Sequence, residues 1–176
     1  AAGYEAQAAF DRRLIEAGDS ALQQIDDAGD TGIVLVGRPY NIHDAGVNLS
    51  VARKLRDHYG VNVIPMDCLD TADDDITDIN PNMYWELGRR IIAAAKIVGQ
   101  RDNLHIIYIT NFKCGPDSYI KHFVRTASGK PYLTLQLDGH SNDAGMMTRC
   151  EAYLDSKGIL RPWRQDAPAE PQSLPA

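Results

Sequence analysis

Gly32-Ile33-Val34-Leu35-Val36-Gly37-Arg38-Pro39-Tyr40-Asn41 is the stretch whose reading decides the fold. Its first five residues are a short, mostly β-branched apolar run without the polar alternation of a strand that has one wet face. Such a run fits a strand buried on both sides. A glycine, an arginine and a proline end it, and Val47, Val51 and Leu55 then recur at intervals of four, the spacing of one helical face. The same alternation follows three more times along the chain. Val61-Asn62-Val63-Ile64 precedes an acidic loop and a helical face of Tyr84, Leu87, Ile91, Ala95 and Val98. Leu104 to Ile109 precedes Ile120, Phe123, Val124 and Ala127, and Tyr132 to Leu137 precedes a helical stretch from Asp143 to Ser156.

Strand then helix, repeated with near-continuous apolar strands, predicts a parallel sheet covered on both faces. The expected fold class is α/β, a three-layer Rossmann-like or flavodoxin-like sandwich with a four-stranded parallel sheet. Upstream, Phe10, Leu14, Ala17, Ala21 and Ile25 fall near helical spacing between Tyr4 and Asp27, which predicts an amphipathic helix packed outside the sheet despite Gly18. After Ser156 the apolar periodicity stops, and Pro162, Pro168, Pro171 and Pro175 sit among Ala, Gln and Glu. Residues 1–156 are therefore expected to form a single domain with an N-terminal helix, and 157–176 a Pro-rich tail or linker.

Composition narrows the function classes. The chain has 176 residues, about one domain, with 44% hydrophobic and 24% charged residues, which excludes wholesale disorder, a collagen-like fibre and a disulfide mini-scaffold. Eighteen Lys and Arg against 24 Asp and Glu give a net charge of −6, so no nucleic-acid partner is expected. The longest apolar runs, Gly32 to Gly37 and Ile91 to Ala95, fall far short of the roughly 18 residues of a membrane span, so no membrane partner is expected either. Ala1-Ala2-Gly3 carries no initiator Met and no signal-peptide pattern, which suggests a domain excised from a larger multidomain protein. Cys68, Cys114 and Cys150 are odd in number and widely spaced, as expected for a reducing cytoplasm rather than a disulfide framework.

In an open parallel sheet, all loops that follow strands share one rim, and ligands bind there beside helix N-termini. Unusual residues concentrate on it. The loop Thr110-Asn111-Phe112-Lys113-Cys114-Gly115-Pro116-Asp117-Ser118 is the most informative. Gly115 lets a ligand approach the backbone, Pro116 suits the start of a helix, and Asp117 and Ser118 fill its first turn. Helix N–H groups and Lys113 both favour the thiolate of Cys114, the form that attacks electrophiles or binds soft metals. Cys68 follows a strand directly and could approach Cys114 across the rim, but nothing local favours its thiolate and a plain structural thiol is the expected reading, whereas Cys150, with Met146, Met147, Tyr153 and Leu154 around it on the wheel, most resembles a buried core thiol. Three thiolates suffice in principle for one iron–sulfur cubane with an open iron, but separations of 46 and 36 residues carry no motif.

Other candidates are plainer. Gly139-His140-Ser141-Asn142-Asp143 has the strand-to-helix context of a nucleophile elbow, yet Asp143 stands where GxSxG requires glycine, and a helix N-cap is the expected role. Gly37-Arg38-Pro39 lacks GxGxxG and the P-loop, so it offers no ATP site, although Arg38 remains able to grip an anion. Asp67, Asp70, Asp73, Asp74, Asp75 and Asp78 lack the glycine and terminal glutamate of an EF-hand and read as a solvated loop. Of five histidines, only His43 and His140 fall on the rim.

Val34-Leu-Val-Gly-Arg-Pro-Tyr-Asn41, Val63-Ile-Pro-Met-Asp67, Met83-Tyr-Trp85, Thr110 to Ser118 and Gln136 to Gly145 together resemble one family. It is the acyl-CoA dehydratase activase-related family, relatives of the 2-hydroxyglutaryl-CoA dehydratase D-component and of double-cubane cluster proteins. The resemblance runs from about Gly32 to Ser156. It implies a domain of a large cytoplasmic protein of anaerobic metabolism, often fused to an ATP-hydrolysing activator, in which cysteines of two Rossmann-like domains hold an iron–sulfur cluster between them. Cys114 occupies the matching Cys-Gly-Pro-Asp position and is the expected metal ligand, with Cys68 and Cys150 as further candidates. Arg38, Tyr40, Gly115, Asp117, Ser118, His140 and Ser141 are the residues expected to line the cofactor. The sequence departs from the family pattern at Lys113, where glycine is usual, and at Gly139, where an acidic residue is usual. The implied partners are the other domains of the parent chain, including a second Rossmann-like domain and the ATP-dependent activator. The implied role is low-potential electron transfer, or reduction or dehydration of a CoA thioester or small molecule. A non-catalytic docking domain and a hydrolase using Cys114 or Ser141 with His140 are the alternatives.

Overall fold

A computed structural model describes residues 2–72, 74–111 and 114–160. Helix α1 (Ala2–Ala28) leads into β1 (Gly32–Gly37), a short helix α2 (Pro39–His43), α3 (Val51–Tyr59) and β2 (Asn62–Pro65). A 3-10 turn at Met66–Cys68 follows, then α4 (Glu86–Gly99), β3 (Leu104–Asn111), α5 (Gly115–Ser128), β4 (Leu133–Leu137) and α6 (Asp143–Ser156). The four strands form one sheet in the order β2-β1-β3-β4, every neighbouring pair parallel. This is the α/β sandwich with a parallel sheet that the sequence predicts. The Pro-rich tail beyond residue 160 lies outside the described residues.

The central strand shows why the chain folds this way. Ile33, Val34, Leu35 and Val36 are all fully buried, as only a strand flanked by two strands and covered on both faces can be. Burying each such side chain contributes roughly 1.5–3 kcal/mol. Helices α4 and α5 pack together, and the buried run Ala93-Ala94-Ala95 lets α4 approach its neighbours closely. Helices α3 and α6 are tied by an ion pair from Lys54 to Asp143 at 2.5 Å. Helix α1 lies along β2 and the 3-10 turn, with Gly18, Leu22 and Ile25 as its buried stripe. Its first half carries no buried residue, and Phe10 is half exposed where the sequence places it on the packed face. Among the described residues no helix is long and apolar enough to cross a membrane.

Local boundaries differ from the sequence reading in two places. Val47 precedes α3 rather than lying on it, because Leu49 and Ser50 take left-handed backbone (φ 54° and 55°) and delay the helix to Val51. The turn is held by the buried Asn48 amide, which donates to the carbonyls of Asn41 at 3.1 Å and Ile42 at 2.6 Å. Tyr84 is almost fully exposed ahead of α4, not on its packed face.

Close packing of α1 generates a prediction. A Cβ at Gly18 meets the carbonyl oxygen of Cys68 at 1.8 Å, so Gly18→Ala should lower the urea midpoint by an amount equivalent to about 1–3 kcal/mol. Gly3→Ala, with nothing within 4 Å, should leave the midpoint unchanged or slightly raised.

Candidate functional site

The strand order reverses between β1 and β3, and the loops that follow these two strands diverge there, opening the crevice where parallel α/β sheets hold ligands. Gly37 makes their close approach possible: its φ is +154°, and a Cβ would meet the Ile109 carbonyl oxygen at 2.5 Å. The next residue, Arg38, reaches across. Its Nη2 donates to Asn111 Oδ1 at 2.9 Å and to Asp117 Oδ2 at 3.1 Å, and its guanidinium lies over the Tyr40 ring at 4.9 Å. Asp117, only 1% exposed in the first turn of α5, also accepts from the Thr110 hydroxyl and from the Tyr108 hydroxyl at 3.1 Å. Burial, helped by the carboxylate, pushes the Tyr108 phenol far above its ordinary value, so it stays protonated and donates to Asp117. The guanidinium and carboxylate therefore face each other within the protein, and the crevice is closed by its own ion pair. Arg38 Nε is buried without a partner among the described residues.

The three cysteines occupy different environments. Cys114 is half-buried at the N-cap of α5; its carbonyl accepts from the Ser118 N–H at 3.0 Å and the Ser118 hydroxyl at 2.8 Å. Gly115 and Ser118 are exposed on the same turn. Cys68 ends the 3-10 turn with its backbone against Gly18 of α1, and burial, with the Asp67 charge second, raises its thiol. Cys150 is fully buried in α6, its thiol pushed up to about 11 by burial. Among the described residues no group of three or more His, Cys, Asp or Glu side chains is placed to hold a metal ion. Phe112 and Lys113 lie outside the described residues.

Two further loops complete the rim. After β4, the Asp138 N–H donates to Ser141 Oγ at 2.8 Å, and Asp138 Oδ1 accepts from the His140 N–H at 2.9 Å. Asn142 is the N-cap of α6, accepting from the Gly145 N–H at 2.9 Å. Ser141 thus stitches a turn in ordinary backbone and has none of the strain of a nucleophile elbow. After β2, the buried Asp67 accepts from Arg90 at 3.1 Å and pairs with His43 Nε2 at 2.8 Å. The acidic stretch is not a wholly solvated loop as expected from sequence. Lys96 clamps Asp78 at 2.9 Å, Arg89 donates to the Asp74 carbonyl at 3.1 Å, and Asp67 is internal; Asp73 lies outside the described residues.

Sequence reasoning missed the inward role of Asp117. A signal existed: Tyr108 and Thr110 are two apart on β3, so they share a face and place two hydroxyls on one side of an otherwise apolar strand. Buried hydroxyls require partners, and the first turn of the next helix is the nearest source.

Fold and rim together define a parallel α/β domain whose switch-point crevice is bridged from within. Residues 1–69 match the family model described as CoA enzyme activase uncharacterised domain (DUF2229), which supports the acyl-CoA dehydratase activase-related family. No curated protein and no solved structure matches the chain.

Two outcomes follow from this geometry. Asp117→Ala leaves Arg38 charged and buried without its partner and should cost about 3–5 kcal/mol in denaturant unfolding. At pH 8, Ellman's reagent should label Cys150 only after denaturation, since a thiol with pKa about 11 is roughly one-thousandth ionised there and is also covered.

Proposed function

We propose that this chain is an activase-related domain that presents Cys114 from its strand-end rim as one thiolate ligand of an iron–sulfur cluster completed by cysteines of another domain. The observation that carries this reading is position. Cys114 stands half-buried at the N-cap of a fourteen-residue helix on the rim, while Cys150 is enclosed in the core and Cys68, equally half-buried, ends a 3-10 turn with its backbone against α1. Helix N-termini favour anionic sulfur, and a cubane takes thiolates, so the donor at Cys114 suits such a group. One thiol cannot hold a cubane alone, so the remaining ligands come from a facing domain, a second Rossmann-like unit of the parent protein.

When bound, the cluster would supply one-electron transfer at low potential, used for reduction or dehydration of a CoA thioester or small molecule. The part of this chain is to hold the sulfur and keep its loop in place. Asp117, three residues beyond Cys114, ties the first turn of α5 to Arg38, Tyr108 and Thr110, so the backbone that carries the sulfur is anchored to two strands. An ATP-dependent activator in the parent protein is the proposed electron source.

The test uses the full-length protein purified without oxygen and reconstituted with iron and sulfide. Broad absorbance near roughly 400 nm, with stoichiometric iron, should appear in the wild type and in Cys150→Ala, and be lost in Cys114→Ala. A colourless wild type, or a Cys114→Ala variant that keeps its iron, would defeat the proposal.

A further inference from the structure

Beside the ion-paired crevice, between the first half of α1 and the start of α4, lies a cavity of about 660 Å³ that shares none of the described residues of the Cys114 loop. This size falls within the range of small-molecule sites, roughly 300–1,000 Å³. One wall is apolar. Phe10, Leu14 and Ile15 come from successive turns of α1, and Leu69 faces them from the segment after the 3-10 turn. Phe10 is 53% exposed, so a ligand seated on this wall would cover part of its ring.

Charge then decides which polar head the cavity accepts. Four carboxylates line it, those of Asp11, Asp67, Asp70 and Glu86, against the two basic side chains of His43 and Arg90. Both basic groups are committed to Asp67, Arg90 Nη2 at 3.1 Å and His43 Nε2 at 2.8 Å. Glu86 has Arg89 at 3.4 Å. Asp11 and Asp70 have no cationic partner among the described residues; the one accepts from the Gln7 amide at 2.8 Å and the other from the Ala72 N–H at 3.2 Å. The cavity lining thus combines an apolar wall with two carboxylates, Asp11 and Asp70, that have no cationic partner among the described residues.

We propose that this cavity is a binding site for a small amphiphilic cation, an ammonium group on an apolar chain, with the chain against Phe10, Leu14, Ile15 and Leu69 and the ammonium at Asp11 and Asp70. The site lies at the same strand-end rim as Cys114 but does not depend on cluster binding, so the two readings stand or fall separately.

The experiment compares three probes that share one apolar body, hexylammonium, hexanoate and hexanol, with an amphipathic Leu-Lys peptide as a fourth. Binding is read from methyl resonances of the ¹³C-labelled protein. Hexylammonium should shift the methyls of Leu14, Ile15 and Leu69 saturably, and bind about fivefold more tightly than hexanoate, as two exposed carboxylates allow. The double variant Asp11→Asn, Asp70→Asn should erase that preference while methyls elsewhere, such as Val34 and Ile107, keep their positions. Phe10→Ala should weaken hexylammonium and hexanol alike. Equal or tighter binding of hexanoate overturns the proposal, because the guanidinium of Arg90 would then select the head. So does the absence of a saturable shift with hexylammonium, or binding of the peptide alone, which would make the cavity a groove for a partner helix.

Discussion

The ion pair between Arg38 and Asp117 lies where the end of β1, the end of β3 and the first turn of α5 meet, and its hydrogen bonds reach all three. A carboxylate that is 1% exposed is tolerable only when its charge and lone pairs are met, since an uncompensated buried ion costs several kcal/mol. Here one oxygen takes the guanidinium and the Thr110 hydroxyl, and the other takes the Tyr108 hydroxyl. The geometry requires Gly37 immediately before Arg38, because any Cβ there would strike the Ile109 carbonyl and hold the strands apart. Closing the crevice has a functional consequence. The position at which parallel α/β sheets ordinarily take a ligand is occupied by the protein's own charges, and Cys114 on the α5 side and the cavity on the α1 side both lie outside it.

Much of this fold is legible in the sequence because its strands are short and apolar throughout, and its main helices repeat at intervals of three and four. The failures have specific causes. Helix α2 has five residues, too few for a periodicity to show. Val47 matches the spacing of α3 but precedes it, since nothing in spacing reveals the left-handed pair Leu49 and Ser50. Tyr84 matches the spacing of α4 and lies outside it for the same kind of reason: periodicity finds a face but not where the helix starts.

The site is less legible than the fold because its partners are distant in sequence. Arg38 and Asp117 are 79 positions apart, and Arg90 and Asp67 are 23 apart. Asp67 and Asp117 read as loop and helix-cap carboxylates, the commonest roles of aspartate, and only three-dimensional context makes them internal. The cysteines show the same limit. Their separations are uninformative, and burial sets only Cys150 apart, enclosed in the core, while Cys68 and Cys114 are both half-buried and differ in the elements they sit against.

The family match and the physical unit do not coincide, and the difference bears on function. Residues 1–69 carry α1, β1, α2, α3, β2 and the 3-10 turn, so the matched stretch supplies two strands and Arg38. It does not supply the second neighbour of β1, which pairs with β3 along its whole length from Gly32–Leu104 to Gly37–Ile109. A strand buried throughout cannot be stable with one side open, so residues 70–160 are an obligate half of the same core rather than an appended module. Asp117 and Cys114 both belong to that second half. The matched stretch thus contributes the cation of the central ion pair, the second half contributes its anion and the rim thiol, and any chemistry at Cys114 requires the two halves folded as one.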